Sequence, residues 1–443
     1  MSRADIYGGA IKMCIQNFDK LVADLPAGQA GLRRAALEIA EAGLESIDTE
    51  KAVKRGVVLD GEILKVKGKE FDLVDFERVF VVAVGKCALE AGRALEDILG
   101  DRLTGGIVLD IRPGKLKKIK TFAGTHPYPS EENMAATAKI IKLLSSLTKK
   151  DFVIFVISGG GSALLCQPKG MSFENEKSIV KCLFRAGADI KELNIVRKHL
   201  SLARGGYLAK YSCLATSIAM IFSDVPGGDI EFISSGPTVK DITTIKDTRR
   251  ILDKYEVEKI TGLNIKPIET PKEEECFKNV TNILFLDNVA VDAMAKKAES
   301  LGFKAIIKTK TLSGEAREVG KQIGGDLNEA GAKTALLYGG ETTVTVKGSG
   351  KGGRNEELIL GALKGVQEGQ VVLSINSDGQ DNTDFAGALC DKITKERVAK
   401  LGLKPEIFLE NNDSYHFFEK AGDYIMTGDT GSNVSDLIIA IKN

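Results

Sequence analysis

The stretch Phe152–Ser162, FVIFVISGGGS, sets the reading of the whole chain. Six consecutive apolar residues, four of them Val or Ile, fit a strand covered on both faces. The run then breaks into three glycines between two serines. A buried strand that ends in a glycine turn and passes into a helix is the basic unit of a parallel α/β sheet, where ligands bind beyond the carboxyl ends of the strands.

The same texture extends outward. Strand candidates are 79–84 (VFVVAV), 107–111 (IVLDI), 152–157, 217–222 (SIAMIF), 282–286 (NILFL), 304–308 (KAIIK), 334–338 (TALLY), 343–347 (TVTVK) and 371–375 (VVLSI). Helical patterns fill the gaps at Ala88–Leu99, Asn133–Leu147, Val289–Leu301, Gly314–Leu327 and Asn355–Leu363. Alternation of this kind implies right-handed crossovers and parallel sheets, so the expected fold class is α/β. Gly56–Lys69 alternates apolar and polar residues around Asp60-Gly61, which predicts a small antiparallel hairpin. The polar segment 257–275, with Pro267 and Pro271, reads as an interdomain connector. The expected domains are therefore 1–275, an N-terminal α/β domain, and 276–443, a smaller C-terminal one. Helices within 9–46 could pack on either.

Composition narrows the function. The 443 residues carry 61 Lys+Arg and 61 Asp+Glu, so there is no basic excess of the kind that holds nucleic acid. Hydrophobic residues at 43% and charged ones at 28% fit a folded globular protein. No apolar run approaches the ~18 residues of a membrane-spanning helix, and MSRADIYGGAIKMCIQNF lacks a secretory pattern. Seven cysteines without a CxxC pair read as reduced thiols, and the expected location is cytoplasmic. Association into a homo-oligomer is left open.

Glycine is the outlier: 47 residues, about one in nine, against a usual ~7%. The glycines follow the strands, at Gly85-Lys86, Ser158–Ser162, Ser223–Asp229, Gly339–Glu341, Gly348–Glu356 and Asn376–Gly379. Glycine in these turns lets main-chain N–H groups approach an anion. Six such turns point to a large anionic ligand, with phosphate the first candidate. Lys86 opens a helix, where the macrodipole disfavours a cation; it is either a surface lysine or one held for an anion. Arg354, between the glycine loop and a helix, has a fork suited to a phosphoryl group or a carboxylate. Asp224, Asp229, Glu341, Asp378 and Asp381 lie at predicted strand ends, where carboxylates suit Mg²⁺; Asp229 and Asp381 are better read as turn residues.

Other chemistries are disfavoured. GxxxxGK[ST] and HExxH are absent, and Gly160-Gly161-Ser162-Ala163-Leu164 departs from GxSxG at its last position. Gly348-x-Gly350-x-x-Gly353 matches GxGxxG, a weak dinucleotide signal by itself.

ISGGGSALL (157–165), NIVRKHLSLARGGYLA (194–209), FSDVPGGD (222–229), SSGPT (234–238), GGETTVTV (339–346), GGRNEELIL (352–360), SDGQDNTD (377–384) and TGDTGSNVSDL (427–437) closely resemble the class II glycerate 2-kinases, in order along nearly the whole chain. The sequence has SDG, SDVPGGD and TGDTGSN where TDG, SDVPGDD and TGPTGTN are common in that family. The resemblance implies two α/β domains, the first Rossmann-like, with the active site in a cleft between them. It also implies phosphorylation of D-glycerate at the 2-hydroxyl by ATP with Mg²⁺. By the same resemblance, Lys86 and Arg354 are catalytic and substrate-binding. On that reading Asp224 is catalytic and, with Asp378, a metal ligand. Ser158, Gly159, Gly160, Gly161, Ser162, Gly340, Glu341 and Gly353 are expected to bind ATP, and Lys198 and His199 to add positive charge for the substrate. The rival readings are an NAD(P)H-dependent hydroxypyruvate reductase and a non-catalytic nucleotide-binding module.

Overall fold

The computed structural model describes residues 13–223, 229–286, 289–432 and 434–443. The chain divides into two compact units, one of Thr49–Asp287 and one of Met1–Asp48 with Asn288–Asn443.

The Thr49–Asp287 unit is built on a six-stranded, wholly parallel sheet. Its spatial order is Ile119–Ala123, Gly105–Asp110, Arg78–Val84, Asp151–Ile157, Thr216–Phe222, Val280–Leu286. Numbered along the chain this is 3-2-1-4-5-6, the doubly wound order, so the strand direction of winding reverses between Arg78–Val84 and Asp151–Ile157. The Asp151–Ile157 strand is buried at every position, as its unbroken apolar run requires. Phe80, Val82, Val84, Phe155, Ile157 and Ala219 share one core with Ala136, Ile140 and Leu144 of the Glu131–Leu144 helix. Each large aliphatic side chain buried there contributes about 1.5–3 kcal/mol. The expected hairpin is present, extended to a three-stranded antiparallel sheet of Val57–Asp60, Ile63–Val66 and Lys69–Asp72.

The other unit carries a six-stranded mixed sheet in the order Lys304–Leu312, Thr334–Gly340, Asp436–Lys442, Gln370–Asn376, Gly387–Asp391, Tyr424–Ile425. Only its first pair is parallel. This corrects the expectation of parallel sheets throughout. The Ala27–Ser46 helix packs here: Ala36, Leu37, Ile39 and Ala40 are fully buried in one core with Leu337, Leu373 and Ile439. Arg33, inside the helix, is buried between Asp391 (Nε–Oδ2 2.6 Å) and Asp423 (Nη1–Oδ1 2.7 Å).

Three further expectations change. Val280–Leu286 pairs with Thr216–Phe222 and completes the first sheet, so the division falls after that strand and not at 276. The supposed connector at 257–275 is part of the first unit: Ile265 is fully buried and Ile268 N–H donates to His199 O at 2.8 Å. Residues 343–347 do not form a strand. Thr343 makes an isolated bridge to Glu315, and Val346 is 72% exposed, so the T-V-T-V alternation has no sheet to face.

Candidate active-site residues

At the point where the winding of the first unit reverses, two adjacent strands end side by side. Val84 runs into Gly85-Lys86, and Ile157 runs into Ser158–Ser162. Ser158 N–H donates to Val84 O (3.0 Å) and Lys86 N–H to Gly159 O (2.9 Å), locking the two turns together. Gly85 has φ +128°, and a Cβ there would lie 2.0 Å from Ser158 Oγ. Only glycine permits this approach. Gly160 is left-handed at φ +84°. Among the described residues the N–H groups of Gly159 and Gly160 have no protein acceptor. Successive unpaired amides in such a turn make a concavity for an anion.

The serines of this turn brace it. Ser158 is fully buried, with its Oγ accepting from Cys87 N–H (3.4 Å), and Ser234 Oγ donates to Ser158 O (2.6 Å). Ser162 Oγ is 2.8 Å from Ser235 Oγ, which donates to Asn194 Oδ1 (2.8 Å). The groups left for a ligand are therefore glycine amides.

Lys86 lies across the turn, its Cγ 3.1 Å from where a Gly160 Cβ would stand; His126 Cδ2 is 3.4 Å from the same point. Burial, and then the charges of Lys86 and Arg197, push the His126 imidazole down to about 4. It is neutral at pH 7. Arg112 fixes the backbone here by donating from Nη2 to Lys86 O (2.8 Å) while pairing with Glu90 and Asp110.

Lys198 and His199 do not join this group. Lys198 Nζ is 3.3 Å from Asp241 Oδ1, and both are buried. His199 is fully buried between Ile268 O (2.7 Å) and Thr243 Oγ1 (3.2 Å). Burial would raise the Asp241 carboxyl, but the Lys198 charge and bonds from Thr243 hold it below the usual carboxylate range. These two side chains stabilise the core, which corrects their assignment to substrate. Asp224 lies outside the described residues.

The second group of candidates lies in the other unit. Arg354, first residue of the Arg354–Ala362 helix, grips the buried Asp436 through two bonds (Nε–Oδ2 2.6 Å, Nη2–Oδ1 2.9 Å) and reaches Glu341 Oε1 at 3.1 Å. Asp436 pairs across the sheet with Gly340 on one side and Asn376 on the other, so both flanking turns are fixed to it. Burial would lower the guanidinium's pKa, but Asp436 outweighs it and keeps the charge. Asp378 is half-buried two residues on from Asn376, and its negative charge adds to burial in raising Asp436.

Asp381, read as a turn residue, is a buried support of the Arg354 loop. It accepts from Glu356 N–H (2.9 Å) and Asn355 Nδ2 (3.1 Å), and a Cβ at Gly353 would lie 1.9 Å from its carbonyl oxygen. Burial and Asp436 push its carboxyl up to about 6; burial and Asp381 push Glu356 up to about 9. The apolar helix run gave no sign of this, because Glu356 looks like an ordinary acidic residue in a first helical turn.

The first part of the GxGxxG stretch, up to Lys351, has its amides occupied by the chain itself. Lys347 and Gly348 N–H donate to Asn412 Oδ1 (2.7 and 3.0 Å), Gly350 N–H to Asn411 O (2.9 Å) and Lys351 N–H to Asp413 Oδ1 (2.9 Å). Among the described residues no group of three or more His, Cys, Asp and Glu could hold a metal ion, and no helix is long and apolar enough to cross a membrane.

The predicted residues thus form an anion-receptive group around Lys86 and a carboxylate-anchored arginine at Arg354. Residues 35–266 match the family described as a domain of unknown function, DUF4147, and residues 334–436 match the MOFRL family. The chain is 38% identical to a glycerate 2-kinase of Pyrococcus horikoshii, with 93% of this chain and 97% of the relative covered. A putative hydroxypyruvate reductase of Agrobacterium vitis is 35% identical over 81% of this chain and 86% of its own. The crystal structure of a glycerate kinase from Thermotoga maritima superposes with a TM-score of 0.80 at 33% identity, covering 93% of this chain and 99% of that one. The order of motifs, the doubly wound sheet and full-length similarity agree: the chain belongs to the glycerate 2-kinase family.

Proposed function

We propose that the protein is a glycerate 2-kinase, transferring the γ-phosphoryl group of ATP to the 2-hydroxyl of D-glycerate and releasing ADP. The observation that carries this reading is that Lys86 lies beside the Gly159 and Gly160 amides, which have no acceptor among the described residues, at the reversal point of the sheet. Phosphoryl transfer asks a protein for positioning and charge neutralisation more than for a nucleophile. In the step, the glycerate hydroxyl oxygen bonds to phosphorus as the bond to the ADP oxygen breaks, and the hydroxyl proton passes to solvent water. The Gly159 and Gly160 amides and Lys86 take anionic oxygens; in the other unit, the Asp436-held Arg354 is the cation that the family resemblance makes catalytic.

Mg²⁺ enters with the nucleotide. A hard cation that keeps waters and phosphate oxygens needs only one or two protein carboxylates, and Asp378, half-buried beside the Arg354 group, fits that part. When bound, the ion neutralises phosphate charge. The seven free cysteines fit a reducing, cytoplasmic setting.

The reductase reading depended on GxGxxG as a dinucleotide turn. The amides of residues 348–351 are occupied by Asn411–Asp413, and no strand leads directly into the turn, so the strand–turn–helix context of the fingerprint is missing.

The test is ADP release from ATP and D-glycerate, with ³¹P NMR of the product. Appearance of 2-phosphoglycerate supports the proposal. NADH oxidation with hydroxypyruvate, without ADP formation in the kinase assay, would replace it with the reductase. Tight ATP binding without turnover would leave a binding module.

A further inference from the structure

The last turn of the Ile190–His199 helix carries Arg197, Lys198 and His199, and their surroundings differ. Lys198 and His199 are satisfied inside the core by Asp241, Thr243 and Ile268. Arg197 makes no ion pair and no side-chain hydrogen bond among the described residues; only its carbonyl oxygen accepts, from Arg204 Nη1 at 3.4 Å. Burial, and then the charge of Arg204, lower its pKa to about 10. An ion withdrawn from water without a counter-charge is costly, and an anionic ligand would relieve that cost.

Arg197 lines a small pocket with Pro127, Tyr128, Ser162, Glu176 and Arg204. Glu176 is already held by Arg204 Nη1 at 2.6 Å, while Arg204 Nε is buried with no acceptor. Lys177, on the same lining, sits over the Tyr128 ring with Nζ 5.0 Å from its centroid, so Glu176 is the one carboxylate among three cations and the Arg197 guanidinium and the Arg204 Nε donor are left unanswered. Ser162 connects the pocket to the glycine turn. The Arg197 charge is felt at His126, together with that of Lys86, so the pocket adjoins the anion-receptive turn.

We propose that Arg197 is the receptor for the carboxylate of the acceptor substrate, a small 2-hydroxy acid, whose hydroxyl then lies toward Lys86 and the Gly159–Gly160 amides. This rests on the kinase reading for the fate of the hydroxyl, though not for the binding itself. The flat guanidinium fork matches a carboxylate in two parallel bonds. A pocket with more cations than its single carboxylate and one guanidinium without a partner suits a small anion, while the triphosphate has its own amides and Lys86. The division of labour explains why one stretch of sequence holds three basic residues with only one left over.

Calorimetric titration of the full-length protein with D-glycerate, in the absence of ATP, reads the site independently of turnover. Wild type is expected to bind D-glycerate and to ignore glycerol, which lacks the carboxylate. Arg197→Gln should weaken D-glycerate binding at least 10-fold, and Arg197→Lys, which keeps the charge but loses the fork, should fall between them. The melting temperature of Arg197→Gln should equal or exceed that of wild type, because a partly buried charge without a partner is removed. In turnover, KM for D-glycerate should rise while KM for ATP stays within twofold. Unchanged D-glycerate affinity in Arg197→Gln overturns the assignment, as does equal wild-type binding of glycerol, or no binding of D-glycerate to wild type. Binding that depends on Arg197 without any phosphoryl transfer would sustain the site and remove the kinase reading instead.

Discussion

Arg354 is held by Asp436 through two nearly parallel bonds of 2.6 and 2.9 Å, and Asp436 is itself buried at the centre of its sheet. The arginine therefore has one fixed orientation, and the aspartate has one counter-ion. Arg354→Ala is expected to lower kcat by roughly 100- to 1000-fold. It should also destabilise the protein by about 3–5 kcal/mol, because Asp436 is left buried and unpaired. Asp436→Asn keeps the cation and loosens it, so a smaller fall in kcat with little change in KM is expected. Steady-state kinetics combined with urea denaturation separate the two effects.

Lys86 is half-buried beside the glycine turn and is not part of the hydrophobic core. Lys86→Met should reduce kcat/KM by roughly 100-fold and leave the melting temperature within a degree or two of wild type. It should also let the His126 imidazole titrate upward from about 4, since the Lys86 charge is second only to burial in holding it down. NMR titration of the imidazole protons reads this directly. An unmoved His126 would show that the lysine points elsewhere in solution.

Lys198 makes the opposite prediction. Its pair with Asp241 is buried on both sides, so Lys198→Met should cost about 3–5 kcal/mol. The protein that remains folded should keep its KM for D-glycerate. A rise in KM without loss of stability would return Lys198 to the substrate.

The Glu356 and Asp381 carboxyls make stability depend on pH. Both are raised in the folded protein, to about 9 and about 6, chiefly by burial. Their contribution is complete below the ordinary carboxylate range and is lost as pH rises toward those values, because the folded state must hold protons the unfolded chain has released. Stability is expected to decline between about pH 5 and 9. Glu356→Gln preserves an acceptor for Thr383 Oγ1, now 2.9 Å away, and needs no proton. It should flatten the decline and stabilise the protein at pH 8 on the order of a few kcal/mol. Thermal melts across that range provide the check.

The doubly wound sheet was legible because its central strands are apolar at every position, a pattern that only burial on both faces explains. Ile119–Ala123 escaped notice because Lys120 follows a lysine-rich run and just one face is apolar. Asp436–Lys442 carries the continuous run LIIAI and could have been read as a central strand from that alone. The reverse error at 343–347 shows that alternation specifies a strand only when a neighbouring edge is available. Lys86 and the glycine turn stood out since their spacing after strands has a local cause. The separation of Arg197 from Lys198 and His199 could not be read, because which side of a helix end faces an acid at Asp241, over forty residues away, is a tertiary fact.

The unit that carries Arg354 is discontinuous: its Ala27–Ser46 helix precedes the Thr49–Asp287 unit, and its Asp436–Lys442 strand sits between Thr334–Gly340 and Gln370–Asn376. On the ribosome the intervening unit has its full complement of strands while that sheet still has a gap at its middle. At roughly 5–20 residues per second, the gap persists for on the order of ten seconds. Until Val289–Ser300 and the later strands emerge, the greasy side of the early helix has nothing of its own to lie on, which makes the nascent chain a natural client for a holding chaperone.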